Sequence, residues 1–174
     1  MFQHSFCVKL NRCNITGAEI IGRSVRQLLF FSLVAVVIVV DQITKFLIRA
    51  NMSLGESIPS EGLVRLTYTT NESGAFGLFG NQIFLIALTS IVGILILILY
   101  LRFFHIGGML LKVGLALELG GAVGNLIDRV RLGEVTDFID VGFWPVFNFA
   151  DSVITIGAIL IVGNLLFAAK KKAI

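Results

Sequence analysis

Four apolar stretches constrain this chain more than any other feature. Residues 28–48, 83–101, 109–127 and 153–169 each run about 17–21 residues with few charges. That is the length a helix needs to cross a hydrocarbon layer of about 30 Å. Backbone groups at that depth must bond within their own segment, so the stretches predict helices rather than loops or open sheet. Composition agrees, with 56% hydrophobic and only 14% charged residues. A soluble domain carries roughly twice that share of charge, so this chain lacks the residues for a fully wetted surface. The expected class is an all-α membrane protein with four transmembrane helices.

Charge predicts the orientation. The N-terminus, the connection 102–112 and the C-terminal tail together hold Lys9, Arg12, Arg23, Arg26, Arg102, Lys112, Lys170, Lys171 and Lys172 against one acid, Glu19. The opposite side holds five Lys or Arg and nine acids, with Glu118 near mid-span. The positive-inside rule places the first side in the cytoplasm. The net charge of +3 is therefore a topology signal, and no nucleic-acid partner is expected. Residues 1–27 read as a cytoplasmic extension, 28–169 as the four-span unit and 170–174 as a basic cytoplasmic tail. The first span reads as an uncleaved anchor, because its apolar run meets Asp41-Gln42 and no small-residue cleavage pattern. Cys7 and Cys13 fall in the extension, where a reducing compartment favours free thiols.

The two outer segments carry the remaining information. Around Leu63 to Thr70, Val64, Leu66 and Tyr68 alternate with Arg65, Thr67 and Thr69, which predicts a strand and a small extracytoplasmic β-sheet. The segment 135–150, VTDFIDVGFWPVFNFA, has ten apolar residues in sixteen. It is expected to be an interfacial loop that lies on or dips into the outer membrane surface, with Trp144 as an anchor.

Polar residues gather at that same boundary. Asp41 and Lys45 are four apart and share a helix face. Asn125, Asp128 and Arg129 stand at the outer end of the third span, with Asp137 and Asp140 in the apolar segment and Asn148 and Asp151 at the entry to the fourth. Ionisable groups at membrane depth are costly and usually face a protein interior or a wet cavity. Plain structural readings also apply: Asp128 pairing with Arg129, Asp41 with Lys45 as a rim pair, Asp140 as a solvated loop acid, and Asp151 as a helix cap. Asp137 and Asp151 are the hardest to explain that way, since each is embedded in apolar sequence.

Other chemistries fail on inventory. His4 and His105 both fall on the inner side, and there is no H-E-x-x-H, so no metal site is expected. No G-x-S-x-G elbow or phosphate loop appears. A dyad of Lys45 with an outer Ser such as Ser73 needs a neutral lysine, which Asp41 opposes. A carboxylate pair is the main hydrolytic option, with no cofactor. The alternative is a proton-coupled transporter or channel subunit relaying through Asp41, Glu118 and the outer acids.

The motifs point further. Asp41-Gln42-Ile43-Thr44-Lys45 is followed by Asn71 and Ala75-Phe76-Gly77. Then come Gly120-Gly121-Ala122-Val123-Gly124-Asn125-Leu126-Ile127-Asp128-Arg129, Gly133-Glu134-Val135-Thr136-Asp137-Phe138 and Phe147-Asn148-Phe149-Ala150-Asp151-Ser152. In this order, across about 110 residues, the blocks resemble those of lipoprotein signal peptidase (signal peptidase II). The resemblance implies an aspartic endopeptidase of the bacterial inner membrane. It implies prolipoproteins with a diacylglyceryl-modified cysteine as substrates, cut just before that cysteine. Membrane lipid is an implied partner, and globomycin-type antibiotics are implied inhibitors. Asp137 and Asp151 match the catalytic pair. Asp41, Lys45, Asn71, Gly124, Asn125, Arg129 and Asn148 match positions that shape the site or bind substrate. Two departures stand out: Asn71-Glu72-Ser73-Gly74-Ala75-Phe76 where the family usually has Asn-x-Gly-Ala-Ala-Phe, and Glu118 where it is normally apolar. Glu118 is expected to be neutral or paired with Lys45.

Overall fold

The computed structural model describes residues 17–71, 82–103 and 108–172. The expected residues Cys7, Cys13, His4, Ser73, Ala75, Phe76, Gly77 and His105 lie outside them. Four helices match the four apolar stretches: α1 (Gly17–Asn51), α2 (Gln82–Phe103), α3 (Met109–Leu132) and α4 (Phe149–Lys172). Each is long and apolar enough to cross a bilayer. The helices overrun the apolar stretches at most ends, because a polar turn costs nothing once the segment leaves the hydrocarbon. A small antiparallel sheet completes the fold, with β1 (Ser57–Ile58), β2 (Arg65–Asn71) and β3 (Val135–Asp140) in the order β1-β2-β3.

Helix α3 is the central span, packed against α1, α2 and α4. Its glycines explain why. In a bilayer, burying an apolar side chain against another helix gains little over lipid, so close backbone approach and hydrogen bonds must hold helices together. A Cβ at Gly120 would come 2.7 Å from Val37 on α1, and one at Gly121 would come 2.7 Å from the Ala150 carbonyl on α4. Half of the most apolar window of α3 is buried, against 17% for α2 and for α4. The outward faces of α1, α2 and α4 present residues such as Phe31, Val39, Ile94 and Leu165, which suits contact with lipid. At the end away from the sheet, Phe30 stacks on Tyr100 at 3.6 Å between ring centres, joining α1 to α2.

The segment 135–150 is a loop only in part: residues 141–147 form it, and the first six residues are a strand. Val135, Thr136, Asp137, Phe138 and Asp140 are all buried, in a strand inserted between β2 and the helix ends. Gly133 makes the turn into it: at φ 89° it takes the left-handed conformation, and its N–H closes on the Arg129 carbonyl. The chain then folds back after β3. Phe147 bonds Ile139 in both directions, at 2.7 and 3.0 Å, leaving Phe143 and Trp144 exposed at the tip.

Asp140 also departs from expectation. It is 6% exposed, and its Oδ2 accepts Arg65 Nε at 3.0 Å, Arg65 Nη2 at 2.6 Å and Thr67 Oγ1 at 2.9 Å. Its other oxygen accepts the Gly142 N–H at 2.8 Å. The Gly142 and Thr67 bonds, with Arg65 beside them, hold the Asp140 carboxyl below its ordinary range. Sequence reading missed this because Arg65 lies 75 residues away. The bond stabilises the sheet above the ordinary carboxylate pKa and weakens as pH falls through the lowered one. Asp140→Asn is therefore expected to speed amide exchange in β2 and β3 by roughly tenfold at neutral pH, with the difference from wild type shrinking in acid. Equal exchange at neutral pH would remove Arg65 and Asp140 as the pin between the strands.

Candidate active site

The site begins with a buried cation. Lys45 has no exposed surface, and its ammonium offers three protons. Three acceptors surround it: Asp41 Oδ2 at 2.9 Å, Asn125 Oδ1 at 2.8 Å and Asp128 Oδ2 at 3.5 Å. The expected pairing of Asp41 with Lys45 is present, one helical turn apart on α1. The expected pairing of Asp128 with its neighbour Arg129 is replaced. Successive helix residues point about 100° apart. Asp128 faces α1, where it takes Gln42 Nε2 at 3.2 Å and lies 3.6 Å from Arg49. Lys45 is thus committed, and Glu118 does not pair with it. Glu118 is half-buried instead, with its side chain against Gly157 of α4.

Asp41 has a second task. Its Oδ1 accepts the Ala150 N–H at 3.0 Å, capping α4 from another helix. Gly124 makes room for it, since a Cβ there would stand 2.5 Å from Asp41 Oδ2.

The start of α4 is a reciprocal cap. Asn148 Oδ1 accepts the Asp151 N–H at 3.0 Å, and Asp151 Oδ2 accepts the Asn148 N–H at 3.2 Å. This is the capping-box pattern, written here with Asn and Asp. The suggestion that Asp151 caps the helix is correct, but it leaves Asp151 Oδ1 free for Asn125 Nδ2, at 2.9 Å. Asn148 Nδ2 reaches Asp137 Oδ1 at 2.6 Å and Asn125 Oδ1 at 3.1 Å. Asn71 Nδ2 reaches the other Asp137 oxygen at 3.3 Å. The sheet register accounts for that contact: Asn71 pairs with Val135, so Asp137 is its diagonal neighbour on the same face.

Asp137 and Asp151 are therefore joined through two asparagines, and both line one cavity of about 280 Å³ with Asn71, Asn125, Arg129 and Trp144. Arg129 Nε is buried there without a hydrogen-bond partner among the described residues. Burial, and then the nearby charge of Asp151, push the Asp137 carboxyl up to about 7, against the pull of its bonds from Asn148 and Asn71. A carboxyl that holds its proton near neutrality beside a second carboxylate is fitted to acid–base work. Among the described residues, no three His, Cys, Asp or Glu side chains gather to hold a metal ion. The structure thus brings together every site residue expected from sequence. Sequence reading missed Gln42, Arg49 and Thr136, whose contacts depend on tertiary placement.

Four membrane helices and a small sheet bring two linked carboxylates, one on β3 and one on α4, to one cavity, an arrangement suited to a membrane-embedded aspartic protease. Comparison with known proteins agrees. Residues 33–167 match the family model of signal peptidase (SPase) II. Among curated relatives, lipoprotein signal peptidase of Moorella thermoacetica is 46% identical over 143 residues, covering 80% of this chain and 94% of that one. The protein of the same name from Halothermothrix orenii is 42% identical, covering 76% and 91%. A bacterial membrane enzyme solved by the in meso method at 2.3 Å superposes with a TM-score of 0.72 at 35% identity, covering 82% of this chain and 90% of that one. The chain belongs to the signal peptidase II family, and it is a multi-pass bacterial membrane protease.

The buried cluster generates a prediction. Lys45→Met takes the shared cation from Asp41 and Asp128, leaving only Arg49, 3.6 Å from Asp128. Such a break in a buried charge cluster costs about 3–5 kcal/mol. Unfolding of the purified protein in detergent is expected to shift by that amount, and a stability within 1 kcal/mol of wild type, on the order of the value of a surface pair, would contradict it.

Proposed function

We propose that this protein removes signal peptides from diacylglyceryl-modified prolipoproteins, cutting just before the lipidated cysteine, with Asp137 and Asp151 as the catalytic pair. The observation that carries the reading is the raised Asp137 carboxyl linked through Asn148 and Asn125 to Asp151 on one cavity. The family and its relatives' names supply the substrate class.

In this reading Asp137 starts protonated and Asp151 starts as the base. Asp151 takes a proton from a water in the cavity, and the water oxygen attacks the scissile carbonyl carbon. Asp137 gives its proton to the carbonyl oxygen as charge develops there. The tetrahedral intermediate then collapses. The C–N bond breaks, a proton returns to the leaving amine of the lipidated cysteine, and the signal peptide departs with a new carboxyl end. Arg129, with an unmet donor on the cavity wall, binds a substrate carbonyl. Asn125 and Asn148 hold both carboxylates in place. Charge asymmetry supports both termini in the cytoplasm and the cavity at the outer face of the inner membrane. A substrate whose signal helix and acyl chains both lie in the bilayer presents its scissile bond at that level. Globomycin-type antibiotics are proposed to compete for the same cavity. A transporter reading lacks support: of the proposed relay only Glu118 lies near mid-span, while Asp41, Asp128, Asp137 and Asp151 crowd one end of the bundle.

Asp137→Asn and Asp151→Asn are each expected to lower cleavage of a lipid-modified lipobox substrate by about 100- to 10,000-fold. The double variant should be little worse than either single one, because the pair acts as a unit. Full activity in either single variant would overturn the assignment. The acid must be protonated, so turnover is expected to fall as pH rises through about 7. A flat rate well above that pH would reverse the roles given to the two carboxyls. Chelation by EDTA should leave cleavage intact, and loss of activity restored by zinc would show a different chemistry.

A further inference from the structure

Asp137 is held on one face of β3 by Asn148 and Asn71. Its neighbour Thr136 points to the other face, since side chains alternate along a strand. There Thr136 Oγ1 accepts Arg49 Nη1 at 2.8 Å, and the Thr136 N–H donates to Asp128 Oδ2 at 3.1 Å. The same Asp128 oxygen lies 3.6 Å from Arg49 Nη1, which closes a triangle. Thr136 and Asp128 are each 1% exposed, so water reaches the triangle only from the side of Arg49. Arg49 comes from the last turn of α1, and Asp128 from α3. The pairing of β3 with β2 is irregular nearby, with a register shift between Leu66 and Thr69, and Thr69 is the residue opposite Asp137. The regular ladder of residues 135–137 with 69–71 therefore ends at Asp137, and consecutive pairs hold the strand on only one side of the carboxyl.

We infer that Arg49, Asp128 and Thr136 form a clamp that positions the Asp137 carboxyl for proton transfer. The inference rests on the assignment of Asp137 to the catalytic pair. None of the three lines the cavity, so each is a positioning residue acting through the strand. The clamp ties the backbone one residue before Asp137 to two helices at once. Proton transfer is sensitive to such placement, because a shift of about 1 Å costs on the order of 100-fold in rate.

Thr136→Val tests it, removing the acceptor while keeping the branched shape and the backbone N–H. We expect kcat to fall about tenfold with KM within about twofold, since substrate contacts are untouched. Arg49→Gln, at the partly exposed rim, should show the same split. The double variant should be no worse than either single variant, as expected for one unit. Thr136→Ser should restore kcat. Asp137→Asn is assayed beside them. Wild-type kcat in Thr136→Val or Arg49→Gln, with Asp137→Asn inactive, overturns the clamp and leaves the catalytic pair standing. Asp137→Asn at full activity overturns the assignment beneath it. If Thr136→Val does not fold, Arg49→Gln decides alone. A loss in Thr136→Val that Thr136→Ser fails to rescue, with thermal stability lowered equally in both, marks a structural role and overturns the proposal.

Discussion

A buried ammonium group governs this structure. Lys45 has no access to solvent, and an unpaired cation in so apolar a bundle would carry a cost of several kcal/mol or more. The fold meets it with acceptors from two helices: Asp41 on α1, and Asn125 and Asp128 on α3. Each of these then reaches outward. Asp41 caps α4, Asn125 holds Asp151, and Asp128 holds the backbone of β3. The site is an extension of one charge neutralisation, and two Asp carboxylates are balanced there by Lys45 and Arg49. Close packing of Gly120 and Gly124 against α1 makes the arrangement possible, because Asp41 and Asp128 could not share one lysine across a wider gap.

Much of the fold was legible in the sequence. The four spans follow from apolar length alone, since a bilayer leaves the backbone no alternative to a helix. The strand at Leu63 to Thr70 was legible from alternation, and it begins at Arg65. β3 was not legible as a strand. It is buried on both faces, yet Asp137 and Asp140 lie among its six residues, so neither alternation nor a continuous apolar run marks it. Its acids are stable inside because distant partners meet them: Arg65 for Asp140, Asn148 and Asn71 for Asp137.

The candidate site was legible chiefly through its resemblance to the family's blocks, and only in part through local spacing. Asn148 and Asp151 are three apart, the spacing of a reciprocal cap, and Asp41 and Lys45 are four apart, the spacing of a helical pair. Local geometry writes such pairs into the sequence. Asp128 shows the limit. Adjacent Arg129 was the natural partner in one dimension, but the helix turns the two side chains apart and sends one to the ion cluster and the other to the cavity. Arg49 left no local signal at all, because its partner Thr136 is 87 residues away.

The reciprocal cap on α4 has a consequence for biogenesis. Asp151 belongs to α4, which leaves the ribosome after the other three described helices, and it joins the cluster only when Asn148 starts that helix beside Asp41 and Asn125. A nascent chain with three helices inserted has Asp137 on its strand, but neither Asp151 nor the Asn148 amide that holds the Asp137 carboxyl. With Asp137 and Asp151 as the proposed catalytic pair, such a chain is inert toward the signal helices of other proteins emerging around it. On that assignment, the order of assembly itself keeps the protease silent until α4 has joined the other three helices.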